Sequence, residues 1–198
     1  MKLPEISIHL PPWVEDFLTE SPAIFPGVED RMRFVLALAR QNVQRATGGP
    51  FAAAVFDKDG RLIAPGVNMV VTSKCSVFHS EIVALAIAQK VLGRYDLSDG
   101  GMVHFDLFST TEPCAMCFGA IPWSGVRRLV CGARGEDALA IGFDEGPKLD
   151  DWVSSLNDRG IAVLRDILRK DAVAVLQEYV TAGGTIYHAG RPVTVSKR

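Results

Sequence analysis

The sequence predicts an α/β fold, because helical and strand patterns alternate along most of its 198 residues. Three observations carry this prediction. Apolar residues recur at helical spacing over residues 30–46. Residues 51–56 and 62–67 read as two strands joined by the turn Asp-Lys-Asp-Gly. Strand-like and helix-like segments then follow one another from residue 79 to residue 181.

The elements are predicted in the following order. Residues 1–28 hold several prolines and form an N-terminal arm, packed on a single domain that spans residues 1–198. The Gly-Gly-Pro at residues 48–50 ends the first long helix. Proline suits the first turn of a helix, so Pro113 is expected to open one. The remaining elements are a helix over residues 79–92, strands over 103–109, 128–132 and 161–164, and a closing helix over 171–181.

Composition excludes several classes of protein. Apolar residues make up 48%, charged residues 22%, and the net charge is −2, which does not favour a nucleic-acid partner. No apolar run is long enough to cross a membrane, and the N-terminus lacks the apolar core of a signal peptide. Four cysteines in such a chain indicate a reducing compartment, so a cytoplasmic location is predicted.

Two short motifs can form one reactive zinc site. His79, Cys114 and Cys117 supply an imidazole and two thiolates, and three protein ligands leave the fourth position of zinc for water. Both motifs fall at predicted helix N-termini, where the helix dipole favours thiolate. Glu81 lies two residues from His79, close enough to move a proton of that water. This H-x-E…P-C-x-x-C pattern is the known signature of zinc deaminases.

The same residues also allow a non-catalytic interpretation. A C-x-x-C pair alone is equally a redox pair or half of a structural zinc site. Cys75 lies four residues before His79 and could complete a closed site of three cysteines and one histidine, as in a binding module. A closed structural site would give Glu81 no chemical role, so the catalytic interpretation is favoured.

Four stretches carry a resemblance to a known family: GPFAA at residues 49–53, GVN at 66–68, PCAMCFGAIPW at 113–123 and GFDEG at 142–146. In them the chain resembles the cytidine deaminase superfamily, and within it the bacterial guanine deaminases, including those that accept the triazine ammeline. The resemblance implies a three-layer α/β/α sandwich with a mixed sheet, one Zn²⁺ per subunit and a homodimer.

The resemblance also implies roles for individual residues. Asn68 is expected to hydrogen-bond the purine, and Phe51 and Trp123 to lie near it. Glu145, beside Asp144, is expected to join the proton relay.

One position departs from the superfamily. Ser80 stands where most members have alanine, and it is small enough to fit beside the substrate. Near the C-terminus, Tyr187 and His188 are further candidates for the site.

The implied reaction is deamination of guanine to xanthine and ammonia. Zinc hydroxide attacks C2, Glu81 carries a proton to ring N3, and Glu145 helps protonate the amino group. The partner is a small purine or triazine, with neither nucleic acid nor membrane. Guanosine, an aminotriazine, cytosine and a tRNA adenosine stay open as substrates. Structural roles also stay open: a turn for Asn68, core packing for Phe51 and Trp123, and a solvated charge for Glu145.

Overall fold

A computed structural model describes residues 3–187 of the chain. The elements in chain order are α1 (Trp13–Thr19), α2 (Val28–Gln44), β1 (Ala52–Asp57), β2 (Leu62–Val67), α3 (Val70–Ser73), α4 (Ser80–Leu92), β3 (Phe105–Thr111), α5 (Ala115–Ser124), β4 (Arg128–Ala133), α6 (Gly135–Ala140), α7 (Trp152–Asn157), β5 (Ala162–Leu164) and α8 (Arg169–Thr181). None of these helices is long and apolar enough to cross a membrane.

The strands form one mixed sheet in the order β2-β1-β3-β4-β5. Strand β1 is antiparallel to both β2 and β3, whereas β3, β4 and β5 run parallel to one another. The α/β class and the mixed sheet predicted from the sequence are therefore confirmed.

Helices cover both faces of the sheet, which gives three layers. Successive strand residues point to opposite faces. In β3, Phe108 packs in a core cluster with residues of α2 and α8, while Leu107 packs in a second cluster with residues of α4, α5 and α7. The two clusters together exclude water from both sides of the central strands.

The first hairpin follows its sequence pattern closely. Asp57 accepts hydrogen bonds from the backbone of Asp59 and Arg61 through one carboxylate oxygen, at 2.9 Å each. Gly60 has a φ of +87°, in the left-handed region that glycine adopts without strain. The side chain of Asp57 and the freedom of Gly60 therefore fix the turn between β1 and β2.

Several boundaries differ from the predicted ones. Strand β3 lies two residues later, because the Val103 amide bonds to the Ser98 carbonyl in the preceding turn. Pro113 precedes α5, and Cys114 is its N-cap residue. The N-terminal arm holds α1, whose Trp13 and Val14 are buried, and α1, α3, α6 and α7 were not predicted. They have four to seven residues, too few to show a helical period.

The sheet brings two helix N-termini to the carboxyl end of β3. Gly66 of β2 permits this, because a Cβ there would lie 2.3 Å from the Ser80 carbonyl oxygen in the first turn of α4. Helix α5 begins four residues after β3 ends. The chain segments that carry both motifs thus meet over the end of one buried strand.

Candidate metal centre and active site

The three predicted zinc ligands converge. Both motifs lie at helix N-termini, as expected from the sequence: His79 is the N-cap residue of α4 and Cys114 that of α5. Nδ1 of His79 lies 3.5 Å from Sγ of Cys114 and 3.6 Å from Sγ of Cys117. A tetrahedral zinc ion with usual bond lengths separates a nitrogen from a sulfur ligand by about 3.5 Å. The spacing and the chemistry of these donors fit zinc.

The two cysteines form a coupled pair. The hydrogen bond from Cys117 lowers the pKa of Cys114 to about 4, against the opposing effect of burial. The same hydrogen bond and burial raise the pKa of Cys117. One thiolate is thus present at neutral pH, and a bound divalent cation would favour the second.

Glu81 lies beside the ligands in the first turn of α4. Its side chain is buried, and burial, followed by the charge of Cys114, raises its pKa. The hydroxyl of Ser109 donates to Oε1 at 3.3 Å and that of Ser80 to Oε2 at 2.9 Å. Two serines therefore hold a carboxyl group that can exchange a proton next to the metal centre.

Ser80 has a different place from the one predicted. It is fully buried and does not line the cavity described below, because its hydroxyl faces Glu81. Ser80 thus contacts the carboxyl group and not the space for a substrate.

A cavity of about 380 Å³ opens beside these groups. It brings together predicted site residues from five segments of the chain. Its wall comprises Phe51, Asn68, Ser76, His79, Glu81, Thr111, Glu112, Cys114, Ala115, Met116, Phe143, Asp144, Glu145, Gly146, Pro147 and Tyr187. Such a volume, mostly apolar with a few polar groups, suits a small planar ring.

Asn68 is a buried polar group in the wall of this cavity. Its Oδ1 accepts weak hydrogen bonds from the Gly49 and Val70 amides, at 3.4 Å each. Its Nδ2 donates to the Tyr187 hydroxyl at 2.5 Å. The amide is therefore held by backbone on one side and faces the cavity with the other. Beside it, the Phe51 ring packs edge-on against Phe143, with centroids 4.8 Å apart.

Glu145 reaches the cavity from the loop after α6. The Ala115 amide donates to the Glu145 carbonyl at 2.8 Å, which joins this loop to the start of α5. The Asp144 carboxylate accepts from the Gly146 amide at 2.8 Å, so Asp144 shapes the turn that presents Glu145. Burial, followed by the charge of Cys114, raises the pKa of Glu145 to about 8. Its Oε2 has no hydrogen-bond partner among residues 3–187.

Two residues considered from the sequence lie elsewhere. Trp123 is 84% exposed and does not line the cavity. It lies six residues beyond Cys117, about 9 Å further along the helix axis. Cys75 packs against the apolar core and is outside the group of three ligands, so the structure gives no support to a closed four-ligand site.

Some cavity residues were not identified from the sequence. Thr111 and Glu112 immediately precede Pro113, and this closeness to the P-C-x-x-C motif is the sequence feature that indicates their place in the site. Phe143 lies inside the GFDEG stretch but was not singled out. Tyr187, named only as a further candidate, lines the cavity and contacts His79 edge-on, with centroids 6.2 Å apart. His188 lies outside the described residues.

The chain matches a family model, individual protein sequences and solved structures. The model of the cytidine and deoxycytidylate deaminase zinc-binding region matches residues 28–133. The guanine deaminase of Bacillus subtilis (strain 168) is 39% identical over 117 residues, 59% of this chain and 71% of that protein. A tRNA-specific adenosine deaminase of Buchnera aphidicola subsp. Schizaphis graminum is 30% identical over 128 residues, 65% of this chain and 77% of that protein.

Solved structures are similar over most of the chain. A guanine deaminase from Nitrosomonas europaea has a TM-score of 0.84 and 48% identity, covering 89% of this chain and 97% of that one. The protein NE0047 in complex with 2,6-diaminopurine has a TM-score of 0.85 and 49% identity, covering 92% of this chain and 96% of that one.

Proposed function

Because the chain belongs to the cytidine and deoxycytidylate deaminase family, we propose that it is a zinc-dependent guanine deaminase that releases xanthine and ammonia. One observation carries the proposal: a ring-sized cavity is lined by two of the three clustered zinc ligands, His79 and Cys114, and by the carboxyl groups of Glu81 and Glu145. The 48% identity to the Nitrosomonas europaea guanine deaminase, over 89% of this chain, supports guanine among the possible aminated rings.

His79, Cys114 and Cys117 would hold the zinc. When bound, zinc lowers the pKa of a water molecule from its value in bulk solvent to about 7, which supplies a nucleophile at neutral pH.

Glu81 moves the first proton. Its raised pKa makes it a better proton acceptor than an exposed carboxylate, which suits a group that takes a proton from water and returns it to ring N3. It need not bind metal to do so, and the hydrogen bonds from Ser80 and Ser109 keep its carboxyl group in one orientation.

Glu145 and Asn68 act on other parts of the ring. Glu145 has a pKa of about 8 and is therefore protonated at neutral pH, and its Oε2 is unpaired. It can donate its proton to the 2-amino group as the C2–N bond breaks and ammonia leaves, and it takes back the proton of the C2 hydroxyl as the C2 carbonyl forms. Asn68 presents its amide to the edge of the purine, and Phe51 and Phe143 bound the apolar side of the cavity. Two carboxyl groups are needed because protons move at two places on the ring.

The test is ultraviolet detection of xanthine formed from guanine by the zinc-loaded protein. We expect turnover in the parent and loss of turnover, with zinc retained, in Glu81→Ala. Glu145→Gln should retain zinc and lose activity by about 100-fold, as for removal of a proton-transfer group. If the parent binds zinc but leaves guanine unchanged, guanine is overturned as the substrate. Ammonia release from guanosine, cytosine and aminotriazines would then identify the ring.

We further propose that the protein acts in the cytoplasm, on small molecules and not on nucleic acid. We also propose that it is a homodimer. Helix α5 supports the dimer, because it has no charged residue and its outward residues Met116, Gly119, Ala120 and Trp123 are at least partly exposed. Light scattering after size exclusion should give twice the chain mass for the parent and less for Trp123→Glu. A parent that is monomeric at every concentration would overturn the dimer.

A further inference from the structure

We propose that the Thr111 hydroxyl is a further substrate contact in this cavity, where it hydrogen-bonds the polar edge of the bound ring. The inference rests on the proposed function for the identity of the ring. It does not depend on which bond the reaction breaks.

The strand pattern places Thr111 on the side of the sheet where the chemistry occurs. Side chains two residues apart in a strand share a face, so Leu107, Ser109 and Thr111 of β3 point to the same side. Leu107 packs with residues of α4 and α5, and the Ser109 hydroxyl bonds to Glu81. Thr111 is the next position on this face and lies at the end of β3 from which the chain continues to Cys114. It also lines the cavity.

The hydroxyl of Thr111 has no partner of its own. Thr111 is 3% exposed, and among residues 3–187 no atom lies in hydrogen-bonding position to its Oγ1. A buried hydroxyl without a partner carries an uncompensated cost of removal from water. Glu145 Oε2 is also buried and unpaired, and its residue lines the same cavity. A hydroxyl and a carboxyl oxygen left unpaired in one cavity are groups that a ring with polar edges can satisfy together.

The neighbouring hydroxyls show the contrast. Ser109 donates to Glu81, and Thr110, on the opposite face of β3, accepts a hydrogen bond from the Ala52 amide at 3.2 Å. Both are as buried as Thr111, and both have a hydrogen-bond partner within the protein. Of these three successive hydroxyls, the unpaired one belongs to the residue that lines the cavity.

This difference predicts opposite effects of the same substitution at two adjacent positions. Valine matches threonine in shape and removes only the hydroxyl. In Thr111→Val, an unpaired polar atom is removed, so the melting temperature should stay the same or rise. In Thr110→Val, the Ala52 amide loses a partner, so the melting temperature should fall while substrate binding is unchanged.

The experiment compares the zinc-loaded parent with Thr111→Val, Thr111→Ser and Thr110→Val. KM and kcat are measured for guanine, the dissociation constant for 8-azaguanine by calorimetry, and the melting temperature by scanning calorimetry. We expect Thr111→Val to raise KM and the dissociation constant by about 2- to 12-fold, the usual effect of losing one neutral hydrogen bond. Thr111→Ser should restore both to within about twofold of the parent, because it keeps the hydroxyl.

Each outcome decides between the alternatives. Unchanged KM and dissociation constant in Thr111→Val would mean that the hydroxyl meets only an ordered water, and the inference would fail while the reaction stands. A lower melting temperature with unchanged binding would assign Thr111 a structural role. If the parent binds 8-azaguanine but does not convert guanine, the proposed reaction fails and the dissociation constants still test Thr111. If the parent neither binds nor converts a purine, both proposals fail.

Discussion

At the scale of single residues, the candidate site depends on how one carboxyl group is held. Glu81 is buried and would have rotational freedom if nothing fixed its oxygens. Ser80 and Ser109 each donate to one of them. Pre-oriented groups lower the barrier of a proton transfer more than mobile ones. In the proposed mechanism, the two serines would therefore act by orienting Glu81, without contacting the substrate.

Ser80→Ala tests this arrangement. The substitution removes the 2.9 Å hydrogen bond to Oε2 and little else, because alanine lacks only the hydroxyl. We expect kcat to fall by about tenfold, the effect of a hydrogen bond to a charged group, with zinc content unchanged. Ser124→Ala is the matched control, since Ser124 is equally buried but donates to the Ile121 carbonyl in the last turn of α5. Equal kcat values in both variants and the parent would contradict a role for Ser80.

The sequence identified the chemistry of the site better than its walls. His79, Glu81, Cys114 and Cys117 follow from the motifs, because zinc binding and proton transfer require side chains of those types. The places of Ser80 and Trp123 did not follow, since a motif does not specify which way a side chain points from its helix. Tyr187 comes close to Asn68 from 119 residues further along the chain, a proximity that only tertiary structure produces.

At the scale of elements, the loop that carries Glu145 is fastened to the start of α5. The Lys148 ammonium donates to the Pro113 carbonyl at 2.9 Å and lies 4.0 Å from Glu112. It also lies over the Trp152 ring, 4.9 Å from the centroid. A cation in this position links the loop to the segment of Cys114, and it offsets part of the negative charge of the site.

Lys148→Met should loosen this link while keeping the apolar stem of the side chain. We expect kcat/KM to fall by about tenfold, because Glu145 loses its fixed position. Lys58→Met, at an exposed turn of the first hairpin, is the control and should match the parent. Activity of Lys148→Met equal to that of the control would show that the backbone bond between Ala115 and Glu145 is sufficient.

Elements with a long, regular pattern were predicted well, and short ones were not. Helix α4 was predicted over residues 79–92 and spans Ser80–Leu92, because glycine at position 93 ends an apolar run. Helix α7 has six residues and is held by packing of Trp152 and Leu156 in the core, which a local pattern does not show. Tertiary contacts thus decide the elements that propensity leaves undetermined.

At the scale of the whole molecule, a buried ion cluster stabilises the end of the sheet away from the cavity. Asp106, at the beginning of β3, is fully buried and accepts hydrogen bonds from Arg31 of α2, Arg128 of β4 and His104. It therefore connects a helix and two strands. A buried charge that loses its partner is costly, so this cluster should matter more than the exposed ion pairs.

Asp106→Asn should lower the free energy of unfolding by about 3–5 kcal/mol, because Arg31 keeps its charge in a buried position. Asp59→Asn breaks an exposed pair with Lys58 and should cost at most about 1 kcal/mol. Urea denaturation measures both. Similar values for the two variants would mean that the Asp106 cluster contributes no more than a surface pair.

Removal of zinc should also lower the stability of the whole chain. The three ligands belong to two helices joined through the sheet, so an ion that binds only the folded form stabilises it. At a free zinc concentration about 1,000 times the dissociation constant, the gain is about 4 kcal/mol. For a chain of this length, chelation should then lower the melting temperature by about 8–16 °C. An unchanged melting temperature after verified chelation would contradict this linkage.

The meeting of two helix N-termini over β3 has a consequence for how this protein can change over evolutionary time. The zinc ligands and Glu81 lie at the starts of two helices packed on the sheet, whereas wall residues such as Ser76 and Tyr187 come from connecting segments before α4 and after α8. Connecting segments tolerate insertion and replacement far better than core elements. Selection can therefore alter which ring is accepted by editing these segments, and the hydrolytic chemistry is inherited unchanged.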